Sequence, residues 1–115
     1  MSDCIFCKIA SGDIPSKKVF ENEDVIVFHD IDSKAPVHVL IVPKKHFQSI
    51  NQLSPDEMVE VLPAMYQAAK KAAAELGVHD SGYRLVVNTG EEGGQTVAHL
   101  HMHLLGGRFM QWPPG

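Results

Sequence analysis

Val97-Ala98-His99-Leu100-His101-Met102-His103-Leu104-Leu105 is the stretch whose reading decides the fold. From His99 onward, apolar and polar positions alternate, the period of a strand with one face on a core. A strand is therefore expected over 97–105. It would set Leu100, Met102 and Leu104 on the packed face and His99, His101 and His103 together on the other. Packing does not need three imidazoles, and β-branched residues suit a strand better. Solvated surface histidines are the plainest reading of the row. Metal chelation is a second, since alternate histidines on a strand can chelate, and catalysis is a third. Spacing alone favours metal at least as much as catalysis.

Working outward from this strand, a fourth strand is expected over 83–88, joined to it by a glycine-rich loop. Residues 37–43 form an apolar run typical of a strand buried on both faces. Residues 18–21 and 25–30 read as a hairpin around Asn22-Glu23-Asp24. A short helix is expected over 4–10, stopped by Ser11-Gly12-Asp13. Ser54-Pro55-Asp56-Glu57 is a strong helix start, with a capping serine, a proline at the first position and a glutamate to close the capping box. Met58, Val61, Leu62, Met65, Ala69, Ala72, Ala73 and Leu76 then make one apolar stripe. Gly77 ends it. Pro63 removes a backbone hydrogen bond, so a bend is expected near 59–63. The tail from Gly106, with Trp112 and two following prolines, reads as irregular. The sum is an α+β domain: a five-stranded antiparallel sheet with one short N-terminal and one long helix, a single domain over 1–115.

Composition narrows the function. A chain of 115 residues that is 44% hydrophobic can bury a core without staples. No apolar run approaches the roughly 18 residues of a membrane span. Met1-Ser2-Asp3-Cys4 carries no basic flank and no apolar stretch, so no secretory signal and a cytoplasmic location are expected. Net charge is -4, and the basic residues cluster no further than Lys17-Lys18, Lys44-Lys45 and Lys70-Lys71. A long nucleic acid needs a basic surface, so neither nucleic acid nor membrane is an expected partner. The two cysteines, Cys4 and Cys7, are spaced C-x-x-C, which in a reducing compartment points to redox chemistry or metal.

The loop Gly90-Glu91-Glu92-Gly93-Gly94-Gln95-Thr96 changes the balance for the histidines. Glycines let backbone approach a ligand, and successive N–H groups can form an anion-binding concavity. Gln95 and Thr96 add donors. Alone it could be a flexible hairpin loop. Beside an imidazole it makes a reasonable phosphoryl- or nucleotidyl-transfer site.

Residues 99–105 resemble in full the motif of the histidine triad family, His-φ-His-φ-His-φ-φ, where φ is apolar. The resemblance continues in order through Cys4-Ile5-Phe6-Cys7-Lys8-Ile9, Phe28-His29-Asp30-Ile31, Ala35-Pro36-Val37-His38, Ile41-Val42-Pro43-Lys44-Lys45-His46, Gly93-Gly94-Gln95-Thr96-Val97 and Gly106-Gly107-Arg108. The ending Gln111-Trp112-Pro113-Pro114-Gly115 is similar to that of the histidine triad nucleotide-binding protein branch. The match spans nearly the whole chain.

The resemblance implies that His101 is the nucleophile, attacking phosphorus to give a nucleotidyl-imidazole that water then hydrolyses. Its other ring nitrogen must be held by an acceptor to fix the tautomer, and the resemblance implies the backbone carbonyl of His99. His103 would donate to phosphate oxygens or assist the leaving group, and His38 is the additional histidine near the nucleophile. Asn88, Gly94, Gln95 and Thr96 would hold phosphate or ribose; the family usually has serine at the last of these. Ile5, Phe6, Ile9, Ile14, Phe28 and Ile31 would wall the nucleoside pocket, with Asp30 accepting from the ribose hydroxyls. The branch favours phosphoramidates of adenosine or guanosine as substrates, and Trp112 points to that branch. It also implies a homodimer in which two sheets join into one of ten strands and the tail reaches the partner's site.

Cys4, Cys7, His46 and His99 make a Cys2His2 set that some family members carry. It suits a closed, tetrahedral, structural zinc that would take no part in the chemistry. The alternatives are two free thiols and an exposed His46. Competing functions are a dinucleoside polyphosphate hydrolase, a nucleotide-binding regulatory or scaffold protein, and a hydrolase that uses the triad as metal ligands.

Overall fold

The computed structural model describes residues 3–115. Helix α1, Ile5–Ser11, is capped by the Cys4 side chain and closed by Gly12 at φ 88°, a left-handed conformation that glycine adopts freely. Cys4 is thus the cap rather than the first helical residue. Strands β1, Lys18–Glu21, and β2, Val25–His29, form the expected hairpin, and β3 is Val37–Pro43. A short 3-10 turn over Ile50–Gln52, capped by Ser49, precedes helix α2, Pro55–Glu75. Strands β4, Tyr83–Val86, and β5, Met102–Gly106, complete the sheet.

The sheet is antiparallel throughout, in the order β1-β2-β3-β5-β4. Helix α2 covers one face. Met65, Ala68, Ala69, Ala72 and Ala73 pack there with Val27, Val39, Ile41, Leu100, Met102 and Leu104. The small alanines let the helix approach the sheet closely. Its N-terminus has the complete Ser54–Glu57 capping box. Met58, expected in the apolar stripe, is exposed. Pro63 lies on the exposed side and does not end the helix, which continues to Glu75. On the opposite face, Phe6 of α1 packs with Ile26, Phe28, Leu40 and Val42. β3 is therefore covered on both sides, as the apolar run from Val39 to Pro43 requires.

The strand expected over 97–105 is shorter. The β3–β5 ladder begins at the pair Ile41 and Met102. Beyond Ile41, β3 closes at Pro43, which has no N–H, and the Pro43 carbonyl is taken by the side chain of His99 at 2.8 Å. The chain turns instead, with the His99 amide donating to the Val97 carbonyl and the Leu100 amide to that of Phe47. β4 stops at Val86, opposite His103, rather than at Asn88. Of the three histidines only His103 belongs to a strand, yet Leu100, Met102 and Leu104 still share the α2 face. Among the described residues no helix is long and apolar enough to cross a membrane.

Candidate active site and metal centre

His99, His101 and His103 project from the end of β5 and the turn before it, on the α1 side of the sheet. His99 and His101 are buried, and His103 is half-buried. Their hydrogen bonds fix which nitrogen carries the proton, because a backbone carbonyl can only accept and a backbone N–H can only donate.

The Nδ1–H of His101 donates to the His99 carbonyl at 2.7 Å, so Nε2 carries the free lone pair. That is the protonation pattern a nucleophilic imidazole needs. The amide of Lys34 donates to His38 Nδ1 at 2.9 Å, so His38 bears its proton on Nε2. This Nε2 lies 2.9 Å from His103 Nδ1 and 3.3 Å from Asp30 Oδ2. His103 Nδ1 thus accepts, and His103 is left with an N–H on Nε2. One backbone amide in the loop after β2 therefore sets the tautomers of two rings in series. Burial, then the neighbouring His101 and His38, push His103 down to about 4, and burial also pushes His38 down. Both are neutral near pH 7.

Asp30, His38 and His103 have ligand atoms within 4.8 Å of one another, but they do not suit a metal. The Lys34 amide holds His38 with its proton on the nitrogen that would have to coordinate.

The second cluster lies on the other side of His99. Cys4 Sγ is 3.3 Å and Cys7 Sγ 3.6 Å from His99 Nδ1. His46 Nδ1 is 3.3 Å from Cys7 Sγ and 3.1 Å from His99 Nδ1. Zinc–nitrogen and zinc–sulfur bonds of usual length give tetrahedral edges of about 3.3 Å between nitrogens and about 3.5 Å between nitrogen and sulfur, so the spacing fits. The donor chemistry fits too. His99 gives its Nε2–H to the Pro43 carbonyl, which aims the bare Nδ1 lone pair into the cluster. Such a second bond orients metal-binding histidines generally. Burial, then the adjacent Cys4, push the Cys7 thiol up, a cost that a bound divalent cation removes. Cys4, Cys7, His46 and His99 would hold zinc, leaving it no open position for water.

The remaining expected residues are placed unevenly. Phe6 and Phe28 are buried beside the histidines, and Ile9 and Ile14 are half-buried. Ile5 is partly exposed, and Ile31 is 104% exposed. Asp30 Oδ1 accepts the Asp32 amide, leaving the carboxylate with lone pairs to spare. Asn88 is half-buried and Thr96 exposed. Gln95 is already engaged: its amide donates to the Gln48 and Val97 carbonyls at 2.7 and 3.0 Å, and its oxygen accepts from Gly90. Gln95 therefore ties the loop together in this state. Gly94 has φ 81°, and a Cβ on Gly93 would lie 2.3 Å from the Thr89 carbonyl. Trp112, 81% exposed, sits beside the Arg84 guanidinium on β4, and Arg84 also holds the Gln111 carbonyl. The role of the Lys34 amide was not visible in the sequence, since any residue but proline supplies an N–H.

The HIT domain family matches residues 11–110. A HIT-like protein of Synechocystis is 45% identical over 113 residues, covering 98% of this chain and 97% of the relative. A 14 kDa zinc-binding protein of Zea mays is 45% identical over 115 residues, covering 99% of this chain and 89% of that one. The crystal structure of a HIT family hydrolase from Legionella pneumophila superposes with a TM-score of 0.95 at 50% identity, covering 98% of this chain and 100% of the other. With the three histidines, their carbonyl-held middle ring and this match over nearly its whole length, the chain belongs to the HIT domain, or histidine triad, family.

Proposed function

We propose that the protein is a nucleotide hydrolase of the histidine triad nucleotide-binding branch, cleaving purine nucleoside phosphoramidates to the nucleoside monophosphate. The observation that carries the reading is the hydrogen bond from His101 Nδ1 to the His99 carbonyl, which leaves Nε2 free to attack. The related Legionella protein is named a hydrolase. His101 Nε2 forms a bond to phosphorus as the phosphorus–nitrogen bond breaks. The leaving amine takes up one proton drawn from solvent. The ring, still protonated at Nδ1, carries positive charge that the His99 carbonyl stabilises. Water then attacks phosphorus, breaks the phosphorus–imidazole bond and gives up a proton, restoring the neutral ring.

His103, neutral and protonated on Nε2, donates a hydrogen bond to a phosphate oxygen. The glycine loop, with Gly94, Thr96 and Asn88, supplies further donors, while Gln95 shapes it. Phe6, Ile9, Ile14 and Phe28 wall the nucleoside site, and Asp30 receives the ribose hydroxyls. Zinc at Cys4, Cys7, His46 and His99 is structural. The protein acts as a homodimer: β4 and β1 are the open edges of the sheet, an unpaired edge is a ready template for pairing, and joining two sheets along β4 gives ten strands.

The test is turnover of adenosine 5′-phosphoramidate by the wild-type protein and by His101→Ala. Release of AMP by wild type alone supports the reading. Equal rates overturn it, as does binding without turnover, which would leave a nucleotide-binding regulator.

A further inference from the structure

Phe6 meets the triad more intimately than a pocket wall requires. It is the one buried residue of α1. Its ring stands edge-on to that of His101, with centroids 5.1 Å apart at 86°. It also meets the rings of His99 at 5.9 Å and Phe28 at 5.7 Å. The hydrogen bond from His101 Nδ1 sets the mean orientation of the imidazole, but the side-chain torsions can still swing the ring, bending that bond as Nε2 moves. Phe6 closes one side of the swing. The ring of His103, 5.1 Å away at 62°, closes another.

Phe6 is itself held at both ends. It lies between Cys4 and Cys7, whose thiols reach His99 and His46. A helix of seven residues packs on the sheet through few side chains, Phe6 with the half-buried Ile9 and Ala10, so the cysteine contacts add to what fixes its azimuth. Rotation of α1 would carry Phe6 off the imidazole, and the cysteine anchors oppose that rotation.

We propose that Phe6 is a positioning residue for the nucleophile: its ring holds the imidazole of His101 so that Nε2 faces the phosphate site, and the flanking cysteines hold Phe6 there. This inference rests on His101 being the nucleophile, and its test carries a readout that needs no turnover.

The experiment compares wild type, Phe6→Leu and Phe6→Tyr as full-length, zinc-loaded protein. Steady-state kinetics with adenosine 5′-phosphoramidate are paired with nitrogen-15 NMR of the histidine rings. In Phe6→Leu, kcat falls about tenfold or more, as a misplaced reacting group implies, while KM moves less. The hydrogen-bonded His101 Nδ1–H signal broadens. Phe6→Tyr, which keeps the ring, loses less kcat than Phe6→Leu and retains the sharper Nδ1–H signal of the two. Raised KM with unchanged kcat and an unchanged imidazole signal would make Phe6 a wall and nothing more. If wild type shows no turnover, the reaction scheme fails, and the imidazole signal still decides the role of Phe6. A wild-type measurement covers a variant that does not fold. On removal of metal by chelator, Phe6-to-His101 ring NOEs and the Nδ1–H signal weaken together. A sharp Nδ1–H signal after the ring NOEs have vanished contradicts positioning by Phe6. NOEs unchanged by metal removal contradict anchoring by the cysteines.

Discussion

The carbonyl oxygen of His99 lies 2.7 Å from Nδ1 of His101, while the ring of the same His99 points its Nδ1 at Cys4, Cys7 and His46. One residue thus joins two clusters, its side chain facing Cys4, Cys7 and His46 and its backbone holding the ring of His101.

Loss of a cysteine should therefore be felt first in stability. Cys4→Ala would remove one of the four proposed zinc ligands and loosen the hold of α1 on the sheet. A melting temperature lower by on the order of 10 °C is expected, with zinc content near zero and a smaller change in the chemical step. Calorimetry with and without chelator checks this. Equal melting temperatures in the two conditions would contradict a structural metal.

The glycine loop gives a sharper test of function against fold. A methyl group on Gly93 would lie 2.3 Å from the Thr89 carbonyl, so the loop must shift. The loop is exposed and contributes little to the core. Gly93→Ala should keep its melting temperature within a few degrees while kcat/KM falls about tenfold or more, because donors misplaced by a fraction of an ångström lose their grip on phosphate. Wild-type kinetics in this variant would show that the loop does not cradle the substrate.

The buried rings make stability depend on pH. His103 is pushed down to about 4 from an ordinary 6.5, chiefly by burial. The unfolded chain binds a proton there below 6.5, and the folded chain does not until about 4. Stability present above pH 6.5 is therefore lost progressively as pH falls towards 4, by up to about 3 kcal/mol from this ring. His38 and His99 shift in the same direction. Glu21 acts in a separate window, being held at about 2 by Lys18 and Lys44 and losing its contribution only below the ordinary carboxylate value of 4.5. Urea titrations from pH 7.5 to 4 should show the decline, shallower in His103→Gln. A flat profile over that range would contradict neutral buried imidazoles.

Most of the fold was legible because its signals are local. The hairpin around Asn22, the run from Val37 to Pro43 and the box at Ser54–Glu57 each carry their own pattern, and each forms where expected. The strand through the histidines was over-extended because alternation marks facing, not pairing. His99 and His101 keep the alternation but lose the ladder where Pro43 gives its carbonyl to a side chain. The short turn at Ile50–Gln52 has no comparable signature. The grouping of Cys4, Cys7, His46 and His99 was readable through the C-x-x-C spacing and the family resemblance. The bond between the Lys34 amide and His38 was not, since a backbone donor leaves no trace in residue identity.

The tail offers a prediction about specificity. Arg84 holds the Gln111 carbonyl and lies beside Trp112 at the open edge of β4. In a dimer joined along that edge, the tail would reach the partner's site. Truncation after Gly107 should then change the preference among leaving groups by about tenfold, the scale of a few lost apolar contacts, with less effect on nucleoside affinity. Kinetics across a series of phosphoramidate amines check it, and an unchanged series would exclude the tail from the site.

The most direct measurement traps the intermediate. Wild-type protein quenched in acid-free denaturant during turnover of a labelled adenosine phosphoramidate should carry one nucleotidyl group on His101, absent from His101→Ala. Turnover at full rate with no adduct on that side chain would contradict the account.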